Sequence, residues 1–581
     1  MVRKALAFSL FLSFAVPAAA QGTPSTNTAV NADKLAKKSE LIEQILSDAP
    51  GFRLGENRSY TFARAGAAIC KTDIKTAQSL FQRSINDLQN AQMLVDTEDK
   101  SGAGRLEWQI NRIARPNILT VIGGCDAEFA LDSLFRTRTM SIQNAIAQSS
   151  EPSSKIDDPN RANSQVAQTE LNLEQRLTRL AADQNPELAL KLLQDSIKKG
   201  LSPETLNSLR KLFEKDPESA NSLATDAMSR LLSANFSSDT DDRGEVNLAN
   251  AILNDQMRVR KPGTKDLKFD DSQLRSLASK YIAFSIGELS RRPGTNFTSL
   301  VRIAEKFAPG SVAALKKLER ERTPASLRNV MPNSDTRRVM ESNMTAPQIL
   351  AEARRMPADS RGPLYQNAAN KMASSGDLDG AMALLHANFT GRALDNAVNS
   401  LNWWYAGVLM NQGKFSEAEA LIDQFPESNR RTALMNLAAK AYAKDKVGNK
   451  EYAIGVLNKA RTLMPDRPVD QTTLGQFVQL TIAFAEVDTD EAFNTFQPVI
   501  GQINELSDAN AVVSGFQGTG VVRNGEFILP ANPNFGFQLE PNLLRTLAKA
   551  DFDRTVKLLD GLTRREVRTH FKFQLVELGL N

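Results

Sequence analysis

Histidine, cysteine and aromatic residues are scarce in this chain. Among 581 residues there are two histidines, two cysteines and 6% aromatics. Two cysteines without a Cys-x-x-Cys spacing exclude the usual structural zinc site. The sequence also has no His-Glu-x-x-His motif, no phosphate loop and no Gly-x-Ser-x-Gly elbow. We therefore expect no metal, no cofactor and no catalytic residues, which is typical of a protein that is not an enzyme.

The chain also lacks a strong charge of one sign. Lys and Arg number 71 and Asp and Glu 67, which gives a net charge of +4. So small and evenly spread a charge argues against nucleic acid and anionic membranes as partners. No segment beyond the first twenty residues is long and apolar enough to span a membrane, so none is expected after signal removal.

The first twenty residues have the pattern of a secretory signal. Arg3 and Lys4 precede an apolar run over residues 5–16, which is short for a membrane span. Pro17 and the small residues ending at Ala20 follow, as at a cleavage site. Cleavage after Ala20 would send the mature chain to a periplasm or outside the cell. The alternative is an ordinary buried helix.

Export would permit a disulfide between Cys70 and Cys125. Closing a loop of about 56 residues would stabilise the fold by roughly 4 kcal/mol in the chain-entropy model. The alternative is two buried free thiols.

Composition shifts divide the chain into helical regions and polar linkers. Stretches rich in Pro, Ser, Asn and Asp mark the boundaries. The predicted segments are a signal peptide (1–20), a flexible leader (21–32), an N-terminal helical repeat region (33–148), a linker (149–165), a middle helical repeat region (166–321), a second linker (322–345) and a C-terminal helical repeat region (346–581).

A short helical pattern recurs through these regions. A turn residue is followed four positions later by Ala, and apolar residues stand three or four positions beyond the Ala. These positions share one helix face, where a small residue lets a neighbouring helix approach closely. The copies are Asp73, Ala77, Leu80 and Phe81; Asp126, Ala130 and Leu134; Asn185, Ala189, Leu192 and Leu193; Asp216, Ala220 and Leu223; Asp377, Ala381, Leu384 and Leu385; Lys414, Ala418, Leu421 and Ile422; Asn449, Ala453, Val456 and Leu457; Asp488, Ala492 and Phe496; Asp551, Thr555, Leu558 and Leu559; and a weak copy at Gly310, Ala314 and Leu318.

Repeated helix pairs predict an all-α solenoid. From Ala381 to Ala492 the copies are roughly 35 to 39 residues apart, near the tetratricopeptide length of about 34. Ala441, Ala453 and Ala460, with Pro465 closing the unit, match the small-residue and proline positions of that repeat. Residues 372–496 thus resemble a degenerate tetratricopeptide array, although the usual Trp and Tyr of the first helix are missing or displaced. The resemblance implies a right-handed α-α superhelix whose concave face binds partner proteins.

One segment departs from helix. Asn524-Gly525, a favoured two-residue turn, separates two short β-prone runs, so we predict a small hairpin near residues 519–530. An ordered loop without strand pairing is the alternative, since a lone hairpin is marginally stable.

Trp403, Trp404 and Tyr405 are the candidate partner-binding residues. Adjacent helical residues point in different directions, so we expect at least one ring in the core, and core packing for the cluster is the simpler interpretation. Exposed, the cluster would anchor a peptide or a glycan. The favoured function is an exported, non-enzymatic scaffold that binds another protein or peptide. The alternative is a carbohydrate-active lyase or glycosidase on an α/α scaffold, with its carboxylates hidden among surface acids. The sequence does not indicate an oligomeric state.

Overall fold

The fold is almost entirely helical, as the sequence predicts. The computed structural model describes residues 26–93, 104, 106–148, 159–236, 244–258, 266–289, 297–322, 334–517, 521–537 and 541–578. The predicted signal peptide lies outside these residues.

The helices of the first half follow one another along the chain. They are α1 (Thr26–Asp48), α2 (Gly55–Ile69), α3 (Ile74–Met93), a π-helical segment (Trp108–Ala114) that continues into α4 (Arg115–Gly123), α5 (Ala127–Arg136), α6 (Met140–Gln148), α7 (Pro159–Gln184), α8 (Pro186–Lys199), α9 (Pro203–Phe213), α10 (Pro217–Ser233), α11 (Gly244–Gln256), α12 (Asp271–Leu289), α13 (Phe297–Phe307) and α14 (Val312–Arg322).

The second half continues the same alternation and contains the strands of the described chain. Its elements are α15 (Ser334–Glu341), α16 (Ala346–Arg355), α17 (Gly362–Ser374), α18 (Leu378–Asn388), α19 (Gly391–Gln412), α20 (Phe415–Ile422), α21 (Glu427–Lys444), α22 (Lys450–Thr462), α23 (Gln471–Val487), α24 (Thr489–Phe496), α25 (Val499–Gln517), β1 (Val522–Arg523), β2 (Glu526–Phe527), α26 (Pro541–Ala550), α27 (Phe552–Asp560) and α28 (Arg565–Leu578).

The recurrent small residue is buried in almost every copy of the pattern. Its exposed fraction is 2% or less at Ala77, Ala130, Ala189, Ala220, Ala381, Ala418, Ala453, Ala492 and Thr555. Most of the turn residues cap their helices as expected: Asn185 and Asp216, for example, accept hydrogen bonds from the backbone N–H three residues on. Lys414 and Asn449 make no such side-chain bond. The weak copy is wrong, because Ala314 is exposed on α14.

The helices form an inner and an outer row. In the described chain, thirteen helices touch one after another and make up the inner row: α2, α4, α7, α9, α11, α13, α15, α17, α19, α21, α23, α26 and α28. The helices between them pack behind. We assign the row with continuous contacts to the concave side, because helices at the smaller radius lie closer together. Since α28 also touches α2, the solenoid closes into a ring.

An apolar core joins the two ends of the chain. Leu41, Ile45 and Phe52 from the N-terminal end share one hydrophobic cluster with Phe571 and Leu575 from α28. All five are 3% exposed or less. The seam between α1, α2 and α28 is therefore built like the interior of the array, which makes closure a packing interaction rather than a surface contact.

Ion pairs and hydrogen bonds line the same seam. Asp48 pairs with Arg568 at 3.2 Å, and Lys572 donates to the Gln44 side chain at 2.9 Å. Arg64 on α2 pairs with Glu577. These contacts fix the register of α28 against α1 and α2.

The predicted hairpin is present and belongs to this closure. Val522 pairs with Phe527 and Arg523 with Glu526, and the turn residues Asn524 and Gly525 have φ of 50° and 76°. Positive φ at both central positions is typical of a type I′ turn, which matches the twist of two antiparallel strands.

The hairpin is held by the start of α2. The Glu526 carboxylate accepts from the backbone N–H of Arg53 at 2.8 Å and of Leu54 at 3.2 Å. Asn57 donates to the Phe527 carbonyl and accepts from the Leu529 N–H, both at 2.8 Å. Docking onto α2 thus supplies the packing partner that an isolated hairpin lacks.

A second buried pair ties the hairpin to α2. Arg523 lies 2.6 Å from the carboxylate of Glu56, whose side chain is fully buried. A buried carboxylate without this cation would be strongly destabilising.

Cys70 and Cys125 form the expected disulfide, with 6.0 Å between their Cα atoms. It links the end of α2 to the turn before α5, beside the core of the first repeats.

The linker segments are partly helical where the structure describes them. Residues 159–165 of the predicted linker 149–165 form the first turns of α7, and residues 334–341 of the linker 322–345 form α15. Residues 26–32 of the predicted leader belong to α1. One hydrophobic core contains Ala63 and Leu134, which precede the first linker in sequence, and Leu177, which follows it. The helical regions before and after this linker therefore share a core.

Within the described residues, no helix is long and apolar enough to cross a membrane. The same part of the chain contains no cluster of three or more His, Cys, Asp or Glu suited to a metal ion.

His570 lies in the closed seam among aromatic rings. Its ring centroid is 5.2 Å from those of Phe535 and Phe571, and one ring nitrogen is 3.0 Å from the Gln574 amide. Burial, together with the positive charge of Arg64, lowers the pKa of His570 to about 4. The imidazole is therefore neutral in the folded protein at neutral pH.

His570 should make ring stability depend on pH. Its pKa rises towards an ordinary value of about 6.5 on unfolding, so the unfolded chain takes up the proton first as pH falls. We expect the free energy of unfolding to drop between about pH 6.5 and 4, by about 3 kcal/mol from this group. His570→Gln should lose this part of the slope in urea titrations at several pH values.

The other histidine provides the control for this experiment. His386 is exposed on α18, so His386→Gln should keep the wild-type slope. An unchanged slope in His570→Gln would contradict the account.

Candidate functional site

The two tryptophans of the candidate cluster are exposed on the inner helix α19. Trp403 is 40% and Trp404 49% exposed, whereas Tyr405 is partly buried and packs against the core. Trp403 lies 5.9 Å from the ring of Phe425, and the Trp404 indole N–H donates to Ser374 at 2.8 Å. The core-packing interpretation thus holds for Tyr405 and is wrong for the two tryptophans. Neighbouring helices cover three sides of α19, and the tryptophans lie on the uncovered side.

The position of α19 explains this exposure. It contacts α17 and α21 on its flanks and α18 and α20 on its outer side. Its remaining side faces the centre of the ring. That side carries Asn396, Ser400, Trp403 and Gly407 in one row, at i, i+4, i+7 and i+11. A Cβ at Gly407 would meet nothing within 4 Å, so the surface beside the rings is open.

The next inner helix continues this surface with amide and hydroxyl groups. Asn429, Thr432 and Asn436 lie on α21 at i, i+3 and i+7, and all are exposed. We call the combined surface the α19–α21 face. It consists of Asn396, Asn399, Ser400, Trp403 and Trp404 on α19 and of Asn429, Thr432 and Asn436 on α21.

The asparagine, serine and threonine side chains of the α19–α21 face have no hydrogen-bond partner within the described chain. An asparagine amide offers two donors and an oxygen acceptor, which matches the N–H and C=O groups of a peptide backbone. The two indole rings offer apolar area and a flat π surface next to these amides. None of the eight residues is charged, so the face suits an uncharged extended segment with an aromatic or apolar side chain.

The dimensions of the ring limit what can reach this face. At the usual 8–10 Å between packed helix axes, thirteen inner helices give a perimeter of roughly 120 Å. A round ring of that perimeter leaves an opening of about 25 Å once helix radii of ~5 Å are subtracted. A globular domain of about 100 residues has a radius of gyration of ~13 Å and is wider than that. An extended segment or a single helix fits better.

Two buried carboxylates, Glu170 and Glu174, lie one turn apart on α7. The alternative function, a lyase or glycosidase, would need such a pair of neighbouring carboxylates as its acid and base. Glu170 accepts two hydrogen bonds from Arg115 and one from Arg138, and Glu174 contacts Arg138 and Lys199. Burial by itself would raise the pKa of Glu170, but the two arginines outweigh it and lower the pKa. A general acid needs a raised pKa, so this cluster suits a structural ion-pair network.

Sequence patterns pointed to the tryptophans but missed the amides around them. Asparagine on a helix surface is common and carries no motif. What the sequence does not show is that these asparagines lie on the inner row. The signal that it does contain is spacing: Asn396 and Asn399 stand seven and four residues before Trp403, on the same side of the helix.

Comparisons with known proteins do not identify a family for this chain. No protein-family model matches the chain, and no curated protein matches it. A matching solved structure is described as a "Circular tandem repeat protein with novel repeat topology and enhanced subunit contact surfaces". It is 13% identical, with 94% of this chain and 97% of that chain covered, but the TM-score is 0.19. So poor a superposition carries no argument, and the fold described above rests on the contacts within this chain.

Proposed function

We propose that this protein is an exported, non-enzymatic scaffold that binds an extended, uncharged segment of a partner protein on the α19–α21 face. The observation that carries the proposal is the pair of half-exposed indole rings of Trp403 and Trp404. They are set among side-chain amides that have no hydrogen-bond partner in the part of the chain that the structure describes. Burying such rings against a partner is favourable, since aromatic anchors often dominate binding energy.

The tetratricopeptide resemblance supports the same role. Ala441, Ala453 and Ala460 are fully buried between α21 and α22, in the positions where that repeat uses small residues. Repeats of this class bind partners on the concave side, which is where the inner row places the α19–α21 face. We propose that residues 372–496 are degenerate repeats of this kind.

Export is supported by the sequence of the first twenty residues and by the disulfide, which persists in oxidising compartments. N-terminal sequencing of the protein purified from its native cells tests it. We expect a mature chain that begins at Gln21. A chain that keeps Met1 or its neighbours and comes from the cytosol would contradict export.

The binding proposal is tested with peptides selected on the full chain from a random displayed library. We expect enrichment of uncharged peptides with an aromatic or large apolar residue. Trp403→Ala and Asn399→Ala should each weaken binding of the best peptide, by about tenfold or more for the tryptophan, in fluorescence anisotropy titrations.

Matched exposed residues elsewhere provide the controls. Phe516 is 90% exposed on α25, and Asn388 is exposed on the outer helix α18. Phe516→Ala and Asn388→Ala should leave peptide affinity unchanged. Failure to enrich any peptide, or equal binding to the Trp403→Ala variant, would reject the α19–α21 face as the site.

A further inference from the structure

A separate pocket opens beside the π-helical segment in the first half of the chain. It has a volume of about 260 Å³ and lies between the π segment, α6 and α7. Its walls include Trp108 and Arg112 from the π segment, Glu107 just before it, Ile142 from α6 and Val166 from α7. This volume is a little below the usual range for small-molecule sites, so it suits a ligand of few atoms.

The π-helical turn arranges the two charged walls. A π-helix bonds residue i to i+5, so residues five apart lie on the same side. Glu107 and Arg112 are five apart, and both line the pocket. π-helical turns inside α-helices recur at functional sites, where they re-aim side chains.

Arg112 has no hydrogen-bond or ion-pair partner in the described chain. Burial lowers the pKa of Arg112, and the charge of Glu107 offsets only part of that effect. Among the described residues, the Glu107 carboxylate accepts one long hydrogen bond, from the Asn111 side-chain amide at 3.5 Å. A cation and an anion thus face one cavity without being satisfied by each other.

Arg115, a second cation at the pocket, is not available to a ligand because its hydrogen bonds are already made. Arg115 is 1% exposed and binds Glu170, Thr137 and the Leu134 carbonyl. This saturated pair forms a rigid floor. Trp108 is 45% exposed and stands beside the unsatisfied charges with an open aromatic face. As far as the described residues go, the pocket therefore combines an arginine without a partner, a glutamate with one long hydrogen bond, and an apolar wall.

We propose that this pocket binds a small zwitterionic molecule, a free amino acid with an apolar or aromatic side chain. Its carboxylate would pair with Arg112, its ammonium group with Glu107, and its side chain would pack on Trp108 and Ile142. An anion alone would leave Glu107 unpaired, and a cation alone would leave Arg112 unpaired. This site is independent of the α19–α21 face.

Tryptophan fluorescence provides a direct test on the full chain. The protein has three tryptophans, so Trp403→Phe combined with Trp404→Phe leaves Trp108 as the sole one. Phenylalanine, which does not absorb where tryptophan is excited, is the probe. We expect a saturable change in Trp108 emission. 3-Phenylpropionate and phenethylamine, which each lack one charge, should bind about tenfold more weakly or worse.

Substitutions in the pocket separate this proposal from a general effect. Arg112→Gln should weaken phenylalanine binding about tenfold or more. Arg136→Gln, an arginine 40% exposed on α5 outside the pocket, is the matched control and should bind as the parent does. Absence of a saturable change with phenylalanine would overturn the proposal. So would unchanged affinity in Arg112→Gln, or 3-phenylpropionate binding as tightly as phenylalanine.

Discussion

The architecture depends on the contact between the two ends of the array. Glu526 from the hairpin accepts from backbone N–H groups at the start of α2, at 2.8 and 3.2 Å, although it stands more than 470 residues further along the chain. A helix N-terminus has unsatisfied donors and favours negative charge, so this carboxylate acts as a long-range cap. The apolar seam between α1 and α28 packs next to this cap. Together these contacts join the two ends of the array into a closed ring.

Closure decides which surface is available for binding. An open solenoid has two free end faces of apolar residues that need capping repeats. Here the end helices cover each other, with Ile45, Phe52 and Leu575 in one core. The inner row lines the centre of the ring, and the exposed side of α19 and α21 points into this confined opening. A confined, uncharged surface with two indole rings favours an extended segment over a folded domain.

Much of this fold follows from local sequence. The helix-pair pattern predicted buried alanines such as Ala130 and Ala453 and capping residues such as Asp216. The Asn524-Gly525 pair predicted the hairpin turn. Each of these features depends on neighbours only a few residues away. Closure does not follow from local sequence. Glu56, Asn57 and Glu526 are ordinary polar residues in the sequence, and their roles depend on partners at the other end of the chain. The Arg112 pocket was missed for a related reason, since no local pattern announces a π-helical turn.

The central claim, that the array closes on itself, is tested most directly by the distance between its ends. Asp33 and Asp553 both contact Lys37, at 3.3 and 3.9 Å, and both are exposed. Spin labels on Asp33→Cys and Asp553→Cys should give a single short, narrow distance distribution by double electron–electron resonance, since the native cysteines are already paired. An open array of thirteen inner helices at roughly 9 Å each would separate its ends by many tens of ångströms. A broad distribution at such distances would contradict the ring.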